Sequence, residues 1–215
     1  MMKPAGFPFL FFLFSLLLLN GCAALPVRAP DEVARAWTQR QQTLAPLTNW
    51  ELRGRIALRS RDEGLQASLH WVRDGVRHRI ALVGPLGSGQ VRLTQDAAGA
   101  ELVDADKKRY RGTTARDVLA RTTGWDMPLE NLNWWVRGLP VPETQAEQEL
   151  DDDGRLKTLT QSGWEVEFLE YGRYGAHELP SKLFARRHED IPGIGLNHVT
   201  LEVRVVIERW VLPGG

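Results

Sequence analysis

The 215-residue sequence holds one cysteine, Cys22, so no internal disulfide is available to it. A small exported domain stapled by cystines is thereby excluded. Charge of one sign is not in surplus either: 27 Lys and Arg face 27 Asp and Glu. That balance removes the concentrated basic face on which nucleic-acid binding depends. The five histidines, at 70, 78, 177, 188 and 198, show no ligand-type pairing with cysteine or acidic residues, so no metal is expected. His70 and His78 are expected on a solvated strand face or beside a turn. Asp151-Asp152-Asp153 lacks the spaced oxygens and closing glutamate of a calcium loop and reads as a hairpin turn. Gly84 and Gly89 have phosphate-loop spacing, but Gln90-Val91 stands where Lys-Ser/Thr is required. Ser88 has Leu86, not glycine, two residues before it, which rules out a nucleophile elbow. With no catalytic constellation, an enzyme is not expected, and neither is coupling to nucleotide hydrolysis. There is no internal repeat.

What is present begins with an export signal over residues 1–21. Lys3 gives a positive start, and positions 7–19 are almost wholly apolar, too short to span a bilayer comfortably. The run closes on Leu19-Asn20-Gly21-Cys22, which resembles a lipobox, with Asn20 departing from the small or β-branched residue usual there. Lipidation gives the lone thiol of an exported chain a reason to exist. Each buried methylene contributes about 0.8 kcal/mol, so a triacylated Cys22 is anchored for good. This covalent lipid is the sole prosthetic group expected. Ala23 follows; by resemblance to other Gram-negative lipoproteins, the absence of Asp there favours the outer membrane. Residues 22–30, with Pro26 and Pro30, read as a tether, and 31–215 as a single domain. Removing the signal costs one charge, Lys3, and leaves ample chain for a core.

All eight tryptophans lie in the mature part, where large rings serve cores and lipid pockets alike. Asp31 is expected to cap a helix to about Leu44, with Val33, Trp37 and Leu44 on one face. From Trp50 the period changes to two. Leu52, Ile56 and Leu58 alternate with Glu51, Arg53, Arg55 and Arg59, and Leu65, Ala67, Leu69 and Trp71 with Gln66, Ser68 and His70. Ile80 and Leu82 continue, then Val91 and Leu93. Turns at 61–64, 73–75, 84–89 and 96–99 separate these runs, which together predict an antiparallel meander. Helices follow: Thr113 or Thr114 caps a segment ending at Gly124, and Asp126 with Pro128 opens another through Val136. Leu129, Leu132, Trp135 and Val136 share a face of it. Strands resume at 145–150, 155–160, 164–168 and 197–212. The expected class is α+β, mainly antiparallel: a curved sheet interrupted by a helical insertion. Its apolar face must be covered, either by closing on itself or by leaving a hollow that helices plug.

Over residues 50–140 the chain resembles the LolB family of outer-membrane lipoprotein receptors. The residues that carry the resemblance are Leu52-Arg53-Gly54-Arg55, His70-Trp71, Gly84-Pro85-Leu86-Gly87-Ser88 and the segment from Leu119 to Trp125. Met127-Pro128-Leu129 leading into Asn133-Trp134-Trp135-Val136-Arg137-Gly138-Leu139-Pro140 is the most telling, and Trp164 and Trp210 fit later tryptophan positions. The resemblance weakens over 171–195. It implies a half-open β-barrel with helices over its mouth and an internal hydrophobic cavity. It also implies a monomeric receptor that takes lipoproteins from a soluble periplasmic carrier of the LolA kind and releases them into the inner leaflet of the outer membrane. The candidate cavity residues are Leu52, Ile56, Leu58, Leu69, Trp71, Ile80, Leu82, Val91, Leu93, Leu132, Trp135, Trp164 and Trp210; each taken singly is equally compatible with ordinary core packing. Leu86, between Pro85 and Gly87, occupies a hairpin tip where a polar residue is usual. It is either folded back or harmlessly exposed, or, as the resemblance implies, a probe that pushes cargo into the bilayer. A lipid-anchored scaffold with a filled core remains the alternative. A lipid hydrolase would need a nucleophile and base that the sequence does not offer.

Overall fold

A computed structural model describes residues 28–60, 63–87, 89–190 and 197–213; the signal, Cys22 and Ser88 lie outside them. One helix, α1 (Pro30–Leu44), precedes six strands: β1 (Asn49–Ser60), β2 (Glu63–Asp74), β3 (Arg77–Val83), β4 (Gln90–Asp96), β5 (Gly99–Val103) and β6 (Arg109–Gly112). Two helices follow, α2 (Ala115–Thr123) and α3 (Leu129–Trp135). The chain then returns through β7 (Ala146–Leu150), β8 (Leu156–Gln161), β9 (Trp164–Tyr174), β10 (His177–Asp190) and β11 (Asn197–Val211). Among the described residues no helix is long and apolar enough to cross a membrane.

The strands form one antiparallel sheet in the order β6-β5-β4-β3-β2-β1-β11-β10-β9-β8-β7. Two meanders, β1–β6 and β7–β11, are therefore joined where the last strand pairs with the first. The free edges are β6 and β7, the two strands that flank the helical insertion in sequence. The chain leaves one edge, crosses the mouth as α2 and α3, and re-enters at the other edge. This is the half-open barrel with covering helices, and α2 packs against β4, β5 and β6.

Alternation makes the sheet one-sided. Along β1 the residues Trp50, Leu52, Gly54, Ile56 and Leu58 are buried, while Arg53, Arg55 and Arg59 are exposed. Gly54 is required where it stands: a Cβ there would lie 1.9 Å from the Val206 carbonyl oxygen. The β1–β11 register slips at the same place, between Arg53 and Gly54, and such a slip bends a strand.

Several local expectations are corrected. Helix α1 starts at Pro30, whose missing N–H costs nothing at a first turn, and Ala29 occupies the cap with no side-chain bond. Asp31 lies inside the first turn, where it favours the helix dipole and pairs with Arg35 at 2.9 Å. Of the two candidate threonines, Thr114 caps α2 by accepting from the Asp117 N–H, and Gly124 ends it at φ +72°. Asp126 opens no helix, because Arg116 and Arg187 take its carboxylate; α3 begins at Leu129 after Pro128. His78 is not solvated: it is 9% exposed and accepts a hydrogen bond at Nδ1 from Trp71 Nε1, 3.2 Å away.

Candidate functional site

Beneath α2 and α3 the inner face of β1–β5 encloses a wholly apolar cavity. Its walls come from Ile56 of β1, Leu69 and Trp71 of β2, Ile80 and Leu82 of β3, Val91 and Leu93 of β4, and Leu102 of β5. The cover contributes Leu119, Met127, Leu129 and Leu132. Eight of the thirteen cavity candidates meet here. The other five are packed elsewhere. Trp210 lies edge-to-face on Trp50 at 5.3 Å, Trp135 and Trp164 pack on each other at 5.9 Å, and Leu52 is fully buried. Leu58 is buried toward the end of β1, beneath an outer groove. Leu102, Leu119, Met127 and Leu129 are cavity residues absent from the thirteen candidates, although Leu129 shares the apolar face of α3 with Leu132.

The free space is small, about 40 Å³, room for a very few water molecules. Side chains of the sheet and of the cover together leave little of the hollow open. The wall is nonetheless thin on one side, since Ile80, Leu82 and Val91 point inward yet are only half-buried. The cover itself is fastened at its edge by Asp126, which accepts from Arg116 Nη2 at 2.7 Å and lies 2.6 Å from Arg187 Nη1. Arg116 chiefly, with Arg187 helping, holds the Asp126 carboxyl below its ordinary range.

At the far end of the cover lies a second fastening, built from cations without carboxylates. Arg137 is fully buried. Its Nη1 donates to the carbonyls of Leu44, Ala45 and Leu47 at 3.0–3.2 Å, and its Nε donates to Asn133 O. The guanidinium also stacks 4.3 Å over Trp134. Burial, helped by Arg73, pulls its pKa down to about 9. Arg73 reaches the same knot by donating to Asn133 Oδ1 at 3.0 Å.

His78 stands nearby, its pKa lowered to about 4 by burial first and then by Arg73 and Arg137. The unfolded chain takes up this proton near 6.5, the folded chain only near 4. Stability is therefore whole above 6.5 and drains away as pH falls through that window, by on the order of 3 kcal/mol in total. Urea titrations of the wild type and of His78→Phe between pH 7 and 4 should show this loss in the first and little of it in the second. Parallel curves would refute the assignment.

The turn between β3 and β4 presents the opposite anomaly. Leu86 is fully exposed, at 108% of its reference area, in the left-handed region at φ +56°. A leucine in that conformation costs about 1–2 kcal/mol, which glycine would not. Gly87 and Gly89, both at positive φ, shape the turn after Leu86. It is closed by Gly87 N–H to Gly84 O at 3.1 Å and Gly84 N–H to Gly89 O at 3.3 Å. Pro85, Leu86 and Gly87 are all exposed.

A family model described as "Outer membrane lipoprotein LolB" matches residues 48–210. The chain belongs to the LolB family. Its relatives include the outer-membrane lipoprotein LolB of Pseudomonas savastanoi pv. phaseolicola, 35% identical over 202 residues, covering 92% of this chain and 93% of that protein. The LolB of Stutzerimonas stutzeri is 33% identical over 198 residues and 90% of each chain. As a member of this family the chain is an outer-membrane lipoprotein. Among solved structures it is similar to a putative outer-membrane lipoprotein-sorting protein domain from Vibrio parahaemolyticus (TM-score 0.51, 9% identity, 87% of this chain and 94% of that one). A LolA superfamily protein from Nitrosomonas europaea matches equally well (TM-score 0.51, 6% identity, 84% and 93%). At such identities these two show the fold alone: an unclosed antiparallel sheet with covering helices, like theirs. Among the described residues no group of three His, Cys, Asp or Glu is placed to hold a metal.

Proposed function

We propose that this LolB protein accepts lipoproteins from a soluble carrier of the LolA kind by taking their acyl chains beneath the α2–α3 cover. It then delivers them to the inner leaflet of the outer membrane with Leu86 at the point of insertion. Lipidated Cys22 would tether it there through residues 22–30, as a monomer, without catalysis or cofactor. The observation that carries this reading is a bare leucine, held in a costly conformation, on the loop joining two strands of an apolar-walled cavity. Three chains of about 16 carbons would cost on the order of 30 kcal/mol if exposed to water, so they must pass directly from one apolar shelter to another.

The small free volume favours one rival, a scaffold with a filled core. The two readings part on whether the cover moves. Binding of a hydrophobic fluorophore to the chain, followed by its displacement with a triacylated peptide, separates them, because a packed core takes up neither. Asp126→Ala removes the two ion pairs at the edge of the cover. Exposed pairs of this kind contribute up to about 1 kcal/mol, so fluorophore uptake should rise severalfold in stopped-flow measurements. Uptake unchanged by the substitution would mean that the cover does not hinge at Asp126.

A further inference from the structure

On the outer face of the sheet, beside the Leu86 turn, β1, β2 and β11 frame a groove of about 460 Å³ whose rim includes Pro85. Its charges are Arg59, Arg204 and Glu202. Across the β1–β11 ladder Arg59 stands opposite Glu202, and Arg204 opposite Ala57. The two arginines are therefore diagonal neighbours, with backbones about 7–8 Å apart. The Arg204 guanidinium is steadied 4.7 Å over the Phe184 ring. Three other arginines of this face are paired: Arg53 with Glu51 at 2.7 Å, Arg55 with Glu208 at 3.0 Å, and Arg186 with Glu165 and Glu167. The side chains of Arg59, Arg204 and Glu202 form no ion pair or hydrogen bond with any described residue.

We infer that this groove seats the headgroup of a membrane phospholipid that joins a phosphate to a primary ammonium. Arg59 and Arg204 converge on the phosphate, and Glu202 accepts from the ammonium. Two cations and one carboxylate within one groove, uncompensated among the described residues, match that zwitterion better than a simple anion, which would meet the repulsion of Glu202. A choline headgroup carries the same charges but has no N–H to donate. The groove touches Pro85, one residue from the bare leucine, so a bilayer reached by Leu86 brings its headgroups to the groove mouth. The proposal rests on the membrane-facing reading of Leu86 for its setting, but its chemistry is separately measurable.

The test titrates the full chain, held in neutral detergent, with glycerophosphoethanolamine, glycerophosphocholine and inorganic phosphate. Binding is followed through the arginine Nε–H resonances. The ethanolamine compound should shift the signals of Arg59 and Arg204 and bind severalfold more tightly than the choline compound. Arg59→Gln and Arg204→Gln should each weaken it by roughly twofold to fivefold, the range for exposed charge pairs. Glu202→Gln should erase the preference over choline while leaving phosphate binding in place. Leu86→Glu should bind the headgroup as the wild type does, even if insertion fails, so failure of the loop reading and failure of the groove are told apart. Equal binding of all three probes, or a preference that survives Glu202→Gln, would overturn the proposal.

Discussion

Replacing Arg137 with alanine is expected to destabilise the protein by about 3 kcal/mol or more, the loss typical of a buried charged hydrogen-bonding hub. The side chain donates to four carbonyls, three of them at the C-terminal end of α1, where the chain turns toward β1. The Leu44 and Ala45 carbonyls carry the negative end of the α1 dipole, and with that of Leu47 they stand in for the carboxylate that the site lacks. The face of Trp134 adds a cation–π contact. Desolvation lowers the pKa to about 9, but the group stays protonated at neutral pH and keeps all its donors. Alanine would leave the carbonyls unpaired beside a cavity the size of a guanidinium. Lysine offers three donors from a single point and loses the planar contact with Trp134, so Arg137→Lys should recover only part of the stability. Denaturant unfolding of the three proteins checks this; a loss under 1 kcal/mol for alanine would mean that water replaces the guanidinium without strain.

The same arginine shows where sequence reading stops. Period-two alternation in β1–β4 exposed the one-sided sheet, because nearly every inward position there is apolar, His78 excepted, and each turn carries glycine or aspartate. A threonine cap at 113 or 114 and Gly124 marked α2 by cap chemistry alone, and the structure selects Thr114. Strands β5 and β6 passed unnoticed, being five and four residues long and squeezed between turns, so alternation had too few residues to register. β10 was hidden for another reason. Pro180 interrupts it, the register with β9 shifts beside that proline, and Arg186-Arg187-His188-Glu189-Asp190 supply no apolar face. The pairing of β11 with β1 depends on contacts some 150 residues apart, which no local pattern encodes. His78 and Arg137 were illegible for a related reason: a polar residue in a strand or turn is solvated by default, and only the packed structure reveals a tryptophan N–H or three carbonyls waiting for it. The cavity fell between these cases. The strand residues lining it could be read from alternation, whereas its ceiling required knowing that the helices fold back over β1–β5.

Leu86→Glu is expected to leave folding and acyl-chain uptake unchanged and to abolish delivery into the bilayer. Folding is spared because the side chain touches no core; it is wholly exposed, and any side chain without β-branching bears a similar left-handed cost at that position. Uptake is spared because the cavity walls do not include residue 86. Delivery is lost because a leucine gains about 2 kcal/mol on entering hydrocarbon, while a carboxylate pays heavily for the same step. The variant should therefore accumulate as a complex with lipoprotein, detectable by co-purification, while vesicles receive none. Leu86→Phe, apolar and larger, should deliver normally. Leu86→Gly should relieve the backbone strain, raise stability by up to about 1 kcal/mol and still fail in delivery. That last pair of outcomes is the decisive one, since it sets strain and function against each other at a single residue. A glycine variant that delivers cargo at the wild-type rate would show that the leucine is an accident of the turn.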